Sequence, residues 1–212
     1  TWGDIGTFSF DFAKTITTGE GGMLSVENEE VFNKAIAWHD HGHENNPNLP
    51  RWEDSRSGSG FNYRMMELQG AIGIAQLRKL PKIIEMQRNN AQEIWNYISD
   101  LDFIEKRPEP DLSYSTADAL VLVTERKEYA SKIRKSLLEN QISTKILPEA
   151  ITWHFAGLWE HIPSLHNAHN HKIRDYLKSS EELLLRSVSL PITVRQKKEL
   201  PEKIRNVIKN VM

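Results

Sequence analysis

Ser9-Phe10-Asp11-Phe12-Ala13-Lys14 runs directly into Thr15-Ile16-Thr17-Thr18-Gly19-Glu20-Gly21-Gly22. Residues 7–10 alternate polar and apolar side chains after Gly6, and residues 22–26 form a second, mostly apolar run after the glycines. Each run reads as a short strand, so the stretch predicts two neighbouring strands with a functional loop between them. The loop is rich in hydroxyls and glycine. Glycine lacks the Cβ that would keep a phosphate away from backbone amides, so such a loop can approach one closely. A lysine just past a strand end can form a Schiff base with a carbonyl when burial or positive neighbours lower its pKa. On the residues alone, a solvated lysine at a strand end is the commoner reading, and both stay open. A nucleotide P-loop is disfavoured, because no Gly-x-x-x-x-Gly-Lys-Ser/Thr pattern occurs.

Composition narrows the field. The 212 residues suffice for one large domain or two small ones. With 39% hydrophobic and 26% charged residues the chain is expected to fold rather than stay disordered. Lys plus Arg total 27 against 29 Asp plus Glu, a formal charge of -2, so there is no general pull toward nucleic acid or anionic membrane. The absence of cysteine removes disulfides, thiolate zinc sites, iron–sulfur clusters and cysteine nucleophiles together. No apolar run is long enough to span a bilayer, and no secretory signal is visible, so a cytoplasmic location is expected. A strand beginning so near residue 1, without an initiator Met, suggests the later part of a longer protein.

Working outward, Asn28 is a plausible N-cap for a helix with Val31, Ala35 and Trp38 on one face. Residues 39–60 form a long polar loop, and loops of that length are usually functional or mobile. Residues 67–79 carry Leu68, Ala71, Ile72 and Ala75 at helical spacing, and Pro81 fits the first turn of a new helix. The stripe of that next helix is Ile84, Ala91, Ile94, Trp95, Ile98 and Leu101. Pro108 and Pro110 mark a boundary loop. Beyond it, strands are expected at 119–124, 142–146 and 187–190. Helices are expected around Ile133, at 179–186, and along Leu200, Ile204, Ile208 and Val211. The alternation predicts an α/β second domain at 102–212 after a first domain at 1–101.

The ordered motifs resemble one family. Gly6-Thr7-Phe8-Ser9-Phe10 with Lys14, then Gly19-Glu20-Gly21-Gly22, then Gly60-Phe61-Asn62-Tyr63-Arg64-Met65-Met66-Glu67-Leu68-Gln69 occur in the order found in sugar aminotransferases of the DegT/DnrJ/EryC1/StrS type. Gly73-Ile74-Ala75-Gln76-Leu77, Arg88-Asn89-Asn90-Ala91 and Ser189-Leu190-Pro191-Ile192 continue the resemblance over nearly the whole chain. It implies an α/β fold of the pyridoxal-phosphate transferase class (fold type I), with part of the large domain followed by a small C-terminal α/β domain. It implies pyridoxal 5'-phosphate as cofactor, held as a Schiff base by Lys14, with Ser9 on the phosphate. Asn62 would reach that phosphate from the partner subunit of a homodimer with shared active sites. The family's sugar 3-dehydratases have histidine where Lys14 stands, so lysine favours transamination. The reaction implied moves an amino group, from glutamate by resemblance, to a keto sugar that is often nucleotide-linked, for amino-sugar or surface-polysaccharide synthesis.

Two departures qualify this. The family's earlier half, with the pyridine-stacking aromatic, the carboxylate facing the pyridine nitrogen and further phosphate donors, has no counterpart among these residues. The isolated chain is therefore expected to be inactive, and a non-catalytic, dimerising homologue is the rival reading. Leu147 to Trp159 also replaces the commoner Tyr-Pro…Leu-His pattern, although His154 can still match the substrate-region histidine. His39, His41 and His43 form one cluster and His166, His169 and His171 another, but neither has a zincin pattern. Solvated histidine is the expectation for both, and no metal is expected. Six tryptophans without a basic groove do not suggest nucleic acid.

Overall fold

The computed structural model describes residues 2–110, 114–145, 151, 155–159, 161–168 and 172–211. The chain divides into two compact units, Thr1–Pro81 and Lys82–Met212.

In the first unit, β1 (Ile5–Ser9) pairs antiparallel with β2 (Gly22–Val26), Ser9 facing Gly22 and Phe8 facing Met23. The connecting loop closes on itself: Phe10 N donates to Gly21 O at 2.8 Å, and Thr18 N donates to Phe10 O at 3.0 Å. Next comes α1 (Glu29–His39), where Asn28 Oδ1 accepts from Val31 N at 2.9 Å. That is the expected N-cap, and Glu29 and Glu30 in the first turn suit the positive end of the helix. Of the expected apolar face, Val31 and Ala35 are half-buried while Trp38 is exposed; Ala37 is the buried residue. Trp38 instead packs edge-on against Phe61, ring centroids 5.6 Å apart.

Helix α2 (Glu67–Ile98) is one unbroken element of 32 residues with Pro81 inside it. The expectation of a fresh helix at Pro81 is therefore corrected. Proline removes one i→i−4 bond and crowds the carbonyl four residues back, but here amphipathic sequence on both sides carries the helix through. The cost falls where the two compact units divide. At the helix start, Gln69 Oε1 accepts from Met66 N at 2.8 Å, and Gln69 Nε2 donates to Glu20 O at 2.7 Å. One amide thus caps α2 and ties it to the glycine loop.

The second unit is built on an antiparallel sheet in the order β3 (Ile104–Lys106), β4 (Ala119–Thr124), β5 (Ser187–Pro191). In β4, Leu120, Leu122 and Thr124 are buried while their neighbours are half-buried, as a strand with one covered face requires. Its α-helices, among the described residues, include α3 (Lys127–Glu139), α4 (Pro163–Ala168), α5 (Ile173–Tyr176), α6 (Lys178–Leu185) and α7 (Leu200–Lys209). Ile94 and Ile98 of α2, Ile133 and Leu137 of α3, Val188 and Leu190 of β5, and Ile204 and Ile208 of α7 form one core. Gln87 Nε2 reaches Ile192 O at 3.2 Å and Asn90 Nδ2 reaches Thr193 O at 2.7 Å, pinning the exit of β5 to α2. The strand expected at 142–146 is reduced, among the described residues, to a single antiparallel bridge from Lys145 to Ser189, with Ile142 buried.

Candidate functional site

Ser9 ends β1, and the turn that follows is organised by Asp11. Asp11 Oδ1 accepts from Ala13 N at 2.6 Å and its backbone carbonyl accepts from Lys14 N at 3.2 Å. This side-chain turn places Lys14, whose Nζ lies 3.5 Å from Asp11 Oδ2. Ser9 Oγ accepts from Asp11 N at 3.4 Å, which leaves its own O–H free to donate. Ser9 and Lys14 are thus brought together around one aspartate, both exposed. Sequence reasoning missed Asp11; an Asx residue three positions before a strand-end lysine was its only signal.

Thr17 and Thr18 of the loop have other work. Thr17 Oγ1 donates to Phe10 O at 3.1 Å and accepts from Gly19 N at 2.9 Å, and Thr18 Oγ1 donates to Glu20 O at 2.7 Å. Their hydroxyls hold the loop's shape. Beside β1 the Ser9 hydroxyl and the Lys14 amine stand as donors, which suits a ligand with both a phosphate and a carbonyl.

Asn62 lies elsewhere in the same unit, and its hydrogen bond goes to Arg64 and its bridge to Asp40, not to Ser9 or Lys14. It sits at the neck of residues 40–62, a loop that closes on itself through antiparallel bridges. Asp40 bridges Asn62 and His43 bridges Arg56 in antiparallel fashion, while Phe61 N donates to Trp38 O and Tyr63 N to His39 O, both at 2.9 Å. Gly42 has φ +83°, and a Cβ there would lie 2.0 Å from Gly58 O, so the two arms of the neck cross backbone to backbone.

Two buried acids fill this loop. Asp40 receives Arg51 Nη1 at 2.8 Å and Nη2 at 2.6 Å, a bidentate pair, and Arg64 Nε lies 3.5 Å away. The Arg51 hydrogen bonds, with the charges of Arg51 and Arg64, hold the Asp40 carboxyl below the usual carboxylate range against the opposing pull of burial. Asp54 accepts from Asn46 N at 3.0 Å and Asn45 N at 2.9 Å, and these bonds with His43 lower it likewise. His43 is only 7% exposed, with Nδ1 at 3.0 Å from Asp54 Oδ2. The expectation of a solvated histidine is corrected there: the imidazole is a structural bridge, fixed by an aspartate that the sequence places eleven residues away. Among the described residues no group of three or more His, Asp, Glu or Cys is placed to hold a metal ion. Nor is any described helix long and apolar enough to cross a membrane. His154, Trp153, His169 and His171 lie outside the described residues.

The comparisons with known proteins bear on this arrangement. The profile of the DegT/DnrJ/EryC1/StrS aminotransferase family matches residues 1–212. A GDP-4-keto-6-deoxy-D-mannose 3-dehydratase of Escherichia coli O55:H7 is 31% identical over 160 residues, covering 69% of this chain and 40% of the relative. A GDP-perosamine synthase of Escherichia coli O157:H7 is 32% identical over 145 residues, covering 68% and 38%. The chain thus matches well under two thirds of the length of these relatives. Among solved structures, Helicobacter pylori PseC, an aminotransferase involved in the biosynthesis of pseudoaminic acid, gives a TM-score of 0.79 at 22% identity, covering 98% of this chain and 53% of that one. The E coli GDP-4-keto-6-deoxy-D-mannose-3-dehydratase with bound hydrated PLP gives 0.76 at 21% identity, covering 98% and 55%. At those identities the likeness is one of fold, the fold type I α/β architecture of pyridoxal-phosphate-dependent aminotransferases. Since the family profile spans every residue, this chain belongs to the DegT/DnrJ/EryC1/StrS aminotransferase family.

Proposed function

We propose that this chain carries the lysine-bearing part of a pyridoxal-phosphate-dependent sugar aminotransferase. The observation that carries the reading is the placement of Lys14 by the Asp11 turn, beside the free donor of Ser9, in a chain of this family. Lys14 Nζ would hold the cofactor covalently and Ser9 Oγ would donate to its phosphate. Asn62 would add an amide donor from the partner subunit of a homodimer. In this reading residues 1–101 belong to the large cofactor-binding domain and 102–212 to the small one, and His154 faces substrate. When bound, pyridoxal phosphate supplies an electrophilic carbonyl and an electron-withdrawing ring. Lys14 Nζ, once released by the incoming amino donor, is the base that takes a proton from the donor's α-carbon and returns it on the other side of the shift. Asp11, 3.5 Å from that nitrogen, keeps it over the turn. The donor proposed is glutamate and the acceptor a keto sugar, often nucleotide-linked.

Borohydride reduction of the full-length protein tests the assignment. The reduced cofactor should be found on the peptide containing Lys14, and Lys14→Ala should abolish both the label and amino transfer. Label on another lysine would overturn the reading. A relative that is a 3-dehydratase makes dehydration the second reading. Mass analysis of the product made from a keto sugar separates the two, since transfer replaces the carbonyl oxygen with an amine and dehydration removes water. Lys14, where the family's dehydratases have histidine, favours transfer.

A further inference from the structure

Arg64 Nε donates to Asn62 Oδ1 at 3.0 Å, and this single bond decides what Asn62 offers a ligand. A guanidinium has donors and no acceptor, so the amide atom facing it must be the oxygen. The Nδ2 group is then turned the other way, presenting two N–H donors from an exposed side chain. Arg64 is itself held: its Nε lies 3.5 Å from Asp40 Oδ1. Asp40 is 3% exposed and fixed by the two bonds from Arg51. Asp40 is also the backbone bridge partner of Asn62, so the amide and the carboxylate that orients it belong to one strand-like crossing. A carboxamide without such a partner can rotate to show an anion either its donors or its repelling oxygen.

We propose that Arg64, anchored by the buried Asp40 carboxylate that Arg51 fixes, is a positioning residue that locks the Asn62 amide with its donors outward, toward the phosphate of the cofactor. This rests on the reading of Asn62 given above. Arg64 acts through Asn62, so its removal costs phosphate recognition without altering recognition of the rest of the ligand.

The test uses the full-length protein and compares equilibrium binding of pyridoxal phosphate with that of pyridoxal, which lacks the phosphate, both followed by absorbance. Arg64→Met should weaken pyridoxal phosphate about tenfold, the scale of one charge-assisted hydrogen bond, and leave pyridoxal unchanged. Arg64→Lys, which keeps a donor, should recover most of the loss. The double variant Arg64→Met/Asn62→Ala should bind no more weakly than Asn62→Ala alone. Arg64→Ala provides the same test should Arg64→Met fail to fold. Asn62→Asp tests the outward donor itself. It keeps an oxygen for Arg64 and replaces only the outward donor, so it should lose affinity for pyridoxal phosphate selectively. Equal weakening of both ligands by Arg64→Met, additive losses in the double variant, or unchanged affinity in Asn62→Asp would overturn the proposal. A loss in Asn62→Ala with none in Arg64→Met overturns the positioning role alone. No loss in Asn62→Ala overturns that role and, separately, the phosphate role of Asn62.

Discussion

Asp40 and Asp54 hold the polar loop by the same logic with different partners, one through an arginine fork and one through two backbone amides. Both carboxyls lie below their ordinary range in the folded chain. A group whose folded pKa is depressed contributes stability above its unfolded value, roughly pH 4, and loses it as pH falls through the folded value. Hydrogen exchange of residues 40–62, corrected for intrinsic rates, should therefore show constant protection from pH 8 to 5 and a decline only below about pH 4. Protection lost already between pH 7 and 5 would mean that another group governs the loop. These acids show where reading a sequence stops. Lys14 and Asn28 announce themselves by local spacing, whereas Asp40 meets Arg51 and His43 meets Asp54 eleven positions away across an irregular loop with no period to follow.

Elements with a covered face were legible because burial imposes a period. The alternation of 119–124 matches β4, and Ile133 with Leu137 lies on the buried face of α3. Pro81 misled because a local rule about proline was outweighed by amphipathic sequence on both sides of it. Residues 142–145 alternate weakly, and among the described residues they form the one bridge from Lys145 to Ser189. Ile133 is fully buried, so Ile133→Ala should cost about 2–5 kcal/mol in urea unfolding, the usual scale for a core deletion that leaves a cavity. Lys135→Ala on the exposed face should stay within about 0.5 kcal/mol. The loop neck offers a backbone counterpart. A Cβ on Gly60 would lie 2.4 Å from Trp38 O and 2.9 Å from Gly42 N, whereas one on Gly58 meets nothing within 4 Å. Gly60→Ala should reduce exchange protection across 40–62 and weaken pyridoxal phosphate binding through Asn62; Gly58→Ala should do neither. Equal behaviour of the two variants would show that the crossing is not what sets the neck.

At the scale of the whole molecule, the proposed donors stand in two places, Ser9 and Lys14 on the Asp11 turn and Asn62 at the loop neck. Both places are exposed, and each has its own hydrogen-bond partners, Asp11 in one and Arg64 in the other. That arrangement suits a site completed by a second copy, in which Lys14 of one subunit and Asn62 of the other meet the same cofactor. Symmetry turns this into arithmetic. In a two-fold dimer each site draws one residue from each chain. Mix full-length Lys14→Ala with full-length Asn62→Ala and let the subunits exchange. Each mixed dimer then has one site with both defects and one with neither. With random exchange of equal amounts, half the dimers are mixed, so about a quarter of all sites should be intact. Activity should rise from near zero to about a quarter of wild type. If Lys14 and Asn62 instead served the same site from one chain, every site in every dimer would keep one defect. Where Asn62→Ala alone is strongly impaired, activity that stays flat after exchange has been verified by mass labelling would therefore rule out shared sites.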